Sequence, residues 1–255
     1  MSDSAQELVI TGGRWSLENQ DTPAVLPTFD FDFPSTDAEF VILPGAKQRN
    51  DVTVPKSPPF AGIVLLNFFF KKKVVRVGTG FFCDQRVVLT ARHNLEPATY
   101  DSAGVWVAFD ASRNPSAQRL TILSHAKHPV LDLCVLITKE DAPGVFRLAA
   151  NGAPPSHGAA VAGYGFPYSN GHSRLSVADG PVLYGQDHAI GYKINTRPGD
   201  SGAPIFHATG GTTAALGIHT EAPAGGSVLN AGLRFDDAIL AEVANLIAFA
   251  QSSVP

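Results

Sequence analysis

Three short segments of the chain hold residue types that can cooperate in covalent catalysis. Residues 86–93, RVVLTARH, read as a β-strand that ends on His93. Residues 128–136, HPVLDLCVL, set Asp132 at the head of an apolar strand. Residues 198–204, PGDSGAP, hold Ser201 among turn residues. A serine hydroxyl is inert at neutral pH until a base removes its proton, and a buried carboxylate can hold that base's imidazole in one tautomer. Gly199 lets two backbone N–H groups, its own and that of Ser201, turn toward one point and receive the oxyanion of a tetrahedral intermediate. Each segment alone has an ordinary explanation: a turn, a packed strand-end histidine, an aspartate cap. All three together, ordered His, Asp, Ser and each at a strand boundary, are hard to obtain by accident.

Such a trio needs a scaffold, and the rest of the sequence supplies one. The 255 residues are 44% apolar and 16% charged, enough to bury a core and to exclude wholesale disorder. The net charge of −4 makes a poor nucleic-acid or anionic-membrane binder, because phosphate binding leans on cationic surface. Gly 24, Pro 19 and a single Met speak for turns rather than a helical bundle. Short apolar runs at 60–70, 74–82, 86–90, 105–109, 131–138, 159–163, 181–184, 190–194, 203–206 and 214–218 alternate with turn signals. With no helical period between them, they predict an all-β fold. A break at 141–151, with Pro143 and Gly144, divides the strands into two halves. Only 236–250 changes period, with Ile239, Leu240, Val243, Leu246 and Ile247 at helical spacing and Asp236 and Asp237 suited to a first turn. Residues 1 to about 57 carry acids and prolines without periodicity and read as a loose arm. No signal-peptide h-region and no membrane-length apolar run is visible, so an intracellular protein is expected as the chain stands, or a secreted one if a leader is missing.

With these segments the chain resembles the chymotrypsin-fold serine proteases, and among them the bacterial glutamyl endopeptidases. The resemblance runs from about residue 41 to 243 and rests on LTARH (89–93), DLCVL (132–136), GDSGAP (199–204) and NAGLR (230–234). It implies two antiparallel β-barrels, 41–142 and 143–255, the second followed by the C-terminal helix. It implies a serine endopeptidase in which Ser201 attacks, His93 shuttles the proton, Asp132 orients His93, and Gly199 and Ser201 form the oxyanion hole. The chain order excludes the α/β-hydrolases, whose nucleophile precedes its partners. No cofactor or metal is expected. The expected partner is a polypeptide substrate, with no nucleic acid or membrane, and the expected state is a monomer.

Specificity follows from the same resemblance. Trypsin-like members select Lys or Arg with an Asp six residues before the nucleophile; Asn195 stands there, which argues against tryptic cleavage. Glutamyl endopeptidases read an acidic side chain with a Thr five residues before the serine and a His in a Gly-Ile-His segment, and Thr196 and His219 match both. Thr220, Glu221 and Ala222 depart from the family's continuation. The Glu221 charge opposes an acidic substrate unless a cation such as Arg197 offsets it. Small-apolar specificity, or a silent binding module that keeps the groove, are the alternatives.

Residues 41–44, VILP, resemble the mature start of glutamyl endopeptidases, whose new α-amine helps build the substrate pocket. Residues 1–40 are therefore expected to be a propeptide, with activation at Val41. Asp200 offers a second route, since chymotrypsin-like zymogens pair the freed amine with the acid before the serine. Other features point to structure. His125 and His128 are three apart, but Pro129 removes the helix a zinc pair would need. Residues 71–73, KKK, read as a solvated hairpin turn, and Cys83 and Cys134 as buried thiols. Asn94 replaces the cysteine that the family carries after its histidine, so the usual first-barrel disulfide is absent.

Overall fold

The computed structural model describes residues 11–14, 45–70, 73–96, 102–107, 118–150, 158–165, 174–184, 188–209, 212–221 and 229–254. The strands of the first half are β1 (Thr11–Arg14), β2 (Asn50–Asp51), β3 (Ile63–Phe70), β4 (Lys73–Asp84), β5 (Val87–Thr90), β6 (Ser102–Val107), β7 (Gln118–Leu120), β8 (Ile122–Lys127) and β9 (Cys134–Thr138). Those of the second are β10 (Arg147–Leu148), β11 (Ala159–Gly163), β12 (Ser176–Gly180), β13 (Val182–Tyr184), β14 (Ala189–Tyr192), β15 (Pro204–Thr209), β16 (Thr212–Glu221) and β17 (Asn230–Arg234). The chain ends in α1 (Asp237–Ser252).

Among the described residues the strands form two sheets. The eight-stranded sheet has the order β1-β8-β9-β5-β4-β3-β6-β7. The nine-stranded sheet runs β13-β14-β17-β16-β15-β11-β12-β2, with β10 added on β16. All pairings are antiparallel except the short parallel β10–β16 pair, whose first partners are Arg147 and Ala214. The all-β expectation with one C-terminal helix therefore holds.

The apolar runs are continuous rather than alternating because both faces of the central strands are buried. Along β3, Val64, Leu66 and Phe68 point into one cluster with Phe82, Val88 and Leu136, inside the first sheet. Ile63 and Leu65 face the other way, into a cluster shared with Phe206, Ile218 and the helix residues Ile239, Val243 and Leu246. This second cluster joins the two halves. Phe146 stands between them, its ring edge-on to Phe81 and to Phe206 with centroids 5.4 Å apart in each pair. Ile190, Tyr192, Ile194 and Ile205 fill the inside of the second sheet.

Two segments cross from one half to the other. Residues 45–52 lie in sequence between β1 and β3 of the first sheet yet sit on the second, where β2 pairs with β12 through Asn50–Val177 and Asp51–Ser176. The helix follows the second sheet but returns to the first, where Ser124 Oγ on β8 donates to Ala250 O at 2.7 Å. Asp236 is its N-cap, accepting from Ile239 N at 3.0 Å, so the helix begins one residue later than the sequence spacing implied. No helix among the described residues is long and apolar enough to cross a membrane. Cys134 is buried as expected, whereas Cys83 is only partly so, and both are free thiols. Burial raises both thiols, Cys83 to about 12, which keeps them protonated and poor nucleophiles. Lys71 and Lys72 lie outside the described residues.

Candidate active site

The first half delivers a base and an acid. Strand β5 is buried throughout and passes through Ala91 into a single 3₁₀ turn, Arg92–Leu95, which carries His93. Asp132 sits in the loop between β8 and β9, two residues before the strand whose head the sequence assigned to it. That loop is tightly held. His128 Nδ1 accepts from Leu131 N at 2.8 Å and Val130 N at 3.1 Å, and Arg92 donates to Pro129 O at 2.8 Å. Both carboxylate oxygens of Asp132 then go to one residue. Oδ2 lies 2.6 Å from His93 Nδ1, and Oδ1 accepts from the His93 backbone N–H at 2.9 Å. Such a carboxylate holds the Nδ1–H tautomer and leaves Nε2 as a free base. Burial alone would raise the Asp132 carboxyl, but the hydrogen bonds and charge of His93, with Arg92 beside it, outweigh that and hold it below its ordinary value.

The second half carries Ser201, the candidate nucleophile, on a turn that only glycine can make. Gly199 and Gly202 have φ of +94° and +88°. A Cβ on Gly202 would lie 2.1 Å from Thr79 O and 2.3 Å from Thr90 Oγ1. Across the junction, Ser201 O accepts from Thr79 N at 2.9 Å and from Asn94 Nδ2 at 2.8 Å. Asn94 follows His93 directly, so this bond ties the nucleophile's backbone to the turn that carries the base. Thr79 Oγ1 also donates to Gly199 O at 2.7 Å. Asp200 N donates to Arg197 O, whereas the N–H groups of Gly199 and Ser201 donate to no group among the described residues. They are left available for an oxyanion. Ser201 Oγ and His93 Nε2 make no direct hydrogen bond among the described residues, and the two loops meet through Asn94 Nδ2 and Ser201 O.

Asp200, between those two N–H groups, is fully buried and faces inward. Its Oδ2 accepts from Arg197 N at 2.7 Å and lies 3.0 Å from an Arg49 guanidinium nitrogen. Burial raises this carboxyl, opposed by the Arg49 charge and the N–H groups of Arg197 and Gly165. Burial likewise lowers Arg49, opposed by Asp200.

The expected specificity residues divide. Asn195 Nδ2 donates to Lys47 O at 2.9 Å, so its side chain is spent on the incoming N-terminal segment. Thr196 is buried beside it. His219, on β16, is buried with Nδ1 hydrogen-bonded to the Tyr192 hydroxyl and 3.3 Å from Ala231 O. Burial lowers the imidazole to about 3, helped by the Arg49 and His93 charges, so it is neutral at physiological pH. Thr220 lines a cleft of about 500 Å³ together with His93, Leu131, Asp132, His188 and Gly232. Glu221 closes β16 after a register shift against β17; its side chain and all of Val41 and Ala222 lie outside the described residues.

Sequence reasoning missed Arg49, Thr79, Tyr192 and the loop-holding role of His128. Arg49 stands 151 positions from Asp200 in a segment with no periodicity, and no local signal could have paired them. The sequence marks Asn94 only as standing in place of a cysteine, whereas its side chain supplies the tie to Ser201 O. Among the described residues no group of three His, Cys, Asp or Glu side chains is gathered to hold a metal.

A family model described as trypsin-like peptidase domain matches residues 78–215, which include His93, Asp132 and Ser201. A solved structure described as a Glu endopeptidase in complex with MPD superposes with a TM-score of 0.64 at 18% identity, covering 82% of this chain and 100% of that one. At that identity the likeness speaks for the fold, which is chymotrypsin-like. No curated protein matches the chain. By the family model the chain belongs to the trypsin-like peptidase domain family and is a serine endopeptidase acting on polypeptide substrates.

Proposed function

We propose that the chain hydrolyses peptide bonds through an acyl-enzyme formed on Ser201. The observation that carries this is the His93–Asp132 pair, with both carboxylate oxygens spent on His93, tied through Asn94 to a nucleophile turn with two undonated N–H groups. His93 Nε2 takes the Ser201 Oγ proton as Oγ attacks the scissile carbonyl, and Asp132 stabilises the imidazolium. The carbonyl oxygen becomes an oxyanion held by Gly199 N–H and Ser201 N–H. His93 then protonates the leaving amine, and a water repeats the sequence to release the acid. Losing one oxyanion donor typically costs about 10²–10³ in rate. A fluorophosphonate probe tests the proposal: labelling should occur at Ser201 and vanish in Ser201→Ala. No labelling, in the full chain or in a chain starting at Val41, would favour a silent binding module.

Cleavage after Glu is the second part of the reading, supported by His219. A neutral imidazole can donate one hydrogen bond to a carboxylate without tryptic charge logic. If the Tyr192 hydroxyl donates to Nδ1, the proton sits on Nε2 and is available to the substrate acid. The hydroxyl's other acceptor, Ala231 O at 3.2 Å, makes this a choice of rotor rather than of fold. Peptides varied only before the cut decide: His219→Ala should lose Glu cleavage selectively, and equal loss for Ala-containing peptides would favour small-apolar specificity. Removal of 1–40 belongs to the same reading, because residues 47–51 already bond to the second half at Asn195 and Ser176, a few residues from Val41. Mass spectrometry of the N-terminus of active protein tests it; an intact Met1 on fully active enzyme would sink it.

A further inference from the structure

Arg49 is a buried cation bonded to three residues, and the hydrolytic steps above do not use it. Its side chain is 1% exposed and that of Asp200 0%. The guanidinium forks in several directions. Nε donates to Ser176 Oγ at 2.9 Å; one terminal nitrogen donates to Asn195 O at 3.1 Å and pairs with Asp200 Oδ2 at 3.0 Å; the other donates to Ser176 O at 2.6 Å and Asp200 Oδ1 at 3.2 Å. A buried ion pair is weak as a stabiliser, since desolvation consumes much of its attraction. What this one provides is geometry. The planar fork joins β12, the backbone at Asn195 and the carboxylate between Gly199 and Ser201 in one arrangement.

That carboxylate also accepts from Arg197 N, which closes the turn from inside. The carboxylate is held there and Gly199 O is held by Thr79 Oγ1, while the N–H groups of Gly199 and Ser201 make no hydrogen bond among the described residues. We propose that Arg49 is the positioning residue for the oxyanion hole, a built-in cation on Asp200 that sets the nucleophile turn without any cleavage-generated α-amine. The proposal rests on the hydrolytic reading and deepens it. Of the two activation routes implied by resemblance, an amine on Asp200 is displaced, because both carboxylate oxygens are already engaged. Cleavage before Val41 then acts on substrate selectivity rather than on the oxyanion hole.

The experiment compares wild type, Arg49→Met and Arg49→Lys as full chains. It measures the fluorophosphonate labelling rate, kcat and KM on a peptide substrate, and hydrogen exchange of the backbone amides at 197–203. In Arg49→Met, labelling and kcat should fall about 100-fold with KM changed less than about threefold, the signature of lost oxyanion donors. Exchange at 197–203 should rise while β3–β5 stay protected. Arg49→Lys should recover part of kcat, since an ammonium still pairs with Asp200 but cannot fork to Ser176 and Asn195. The full chain and one starting at Val41 should label within about threefold of each other. Folded Arg49→Met with wild-type labelling and exchange overturns the proposal, as does exchange that rises uniformly with activity lost in step with the unfolded fraction. Where Arg49→Met fails to fold, Arg49→Met with Asp200→Asn removes both charges; wild-type kcat in that pair again overturns it. A wild type that never labels sinks the hydrolytic reading instead, and exchange at 197–203 still decides the role of Arg49.

Discussion

The buried His219 makes the protein acid-sensitive in a way that can be isolated. Burial lowers this imidazole from 6.5 to about 3. Its folded pKa is depressed, so between those values the unfolded chain binds a proton that the folded one refuses. Stability is therefore full above pH 6.5 and falls as pH drops toward 3. The slope is about 1.4 kcal/mol per pH unit for one proton. Because the unfolded imidazole is only half protonated at pH 6.5, the loss from this group alone between pH 6.5 and 4.5 is about 2 kcal/mol, a large share of a typical 5–15 kcal/mol. His128, also lowered by burial, adds loss in the same window, whereas Asp132 and Asp236, held below the ordinary carboxylate value, stay ionised there. The perturbation is His219→Gln, which keeps a hydrogen-bonding side chain but cannot titrate. Urea unfolding by far-UV circular dichroism at both pH values gives four free energies. The variant should be less stable at pH 6.5, and its deficit should shrink by about 2 kcal/mol at pH 4.5. A deficit that is the same at both pH values refutes the neutral, buried imidazole.

Three further outcomes follow from single contacts. Asp132→Asn removes the acceptor that fixes the His93 tautomer and should cut kcat about 10⁴-fold, with KM changed little, in steady-state assays. Asn94→Ala breaks the tie to Ser201 O and Thr90 Oγ1 and should cost about 1–3 kcal/mol by denaturant unfolding, with kcat lowered as well. Gly202→Ala would need φ near +88° and a Cβ 2.1 Å from Thr79 O, so it should cost more than about 3 kcal/mol and abolish labelling by a fluorophosphonate.

Legibility differed sharply between elements. The helix was readable almost to the residue, because α-helical spacing and an N-cap are local signals. So were β3, β4, β5 and β11, whose runs are apolar on both faces. Strands β8 (ILSHAK) and β12 (SVADG) were missed, because their polar positions interrupt any apolar run. The all-β class, the two halves and the His, Asp, Ser order are thus properties of the sequence itself, since periodicity, turn chemistry and residue type are carried locally. Tertiary structure alone decided the rest. It sends residues 45–52 onto the second sheet and drives Arg49 into the charge of Asp200. It engages the Asn195 amide with Lys47 O and leaves His219 neutral beside Tyr192. The reason is physical: burial and pairing are sums over neighbours that only the folded chain brings together, and one side chain's charge, tautomer and reach depend on that sum.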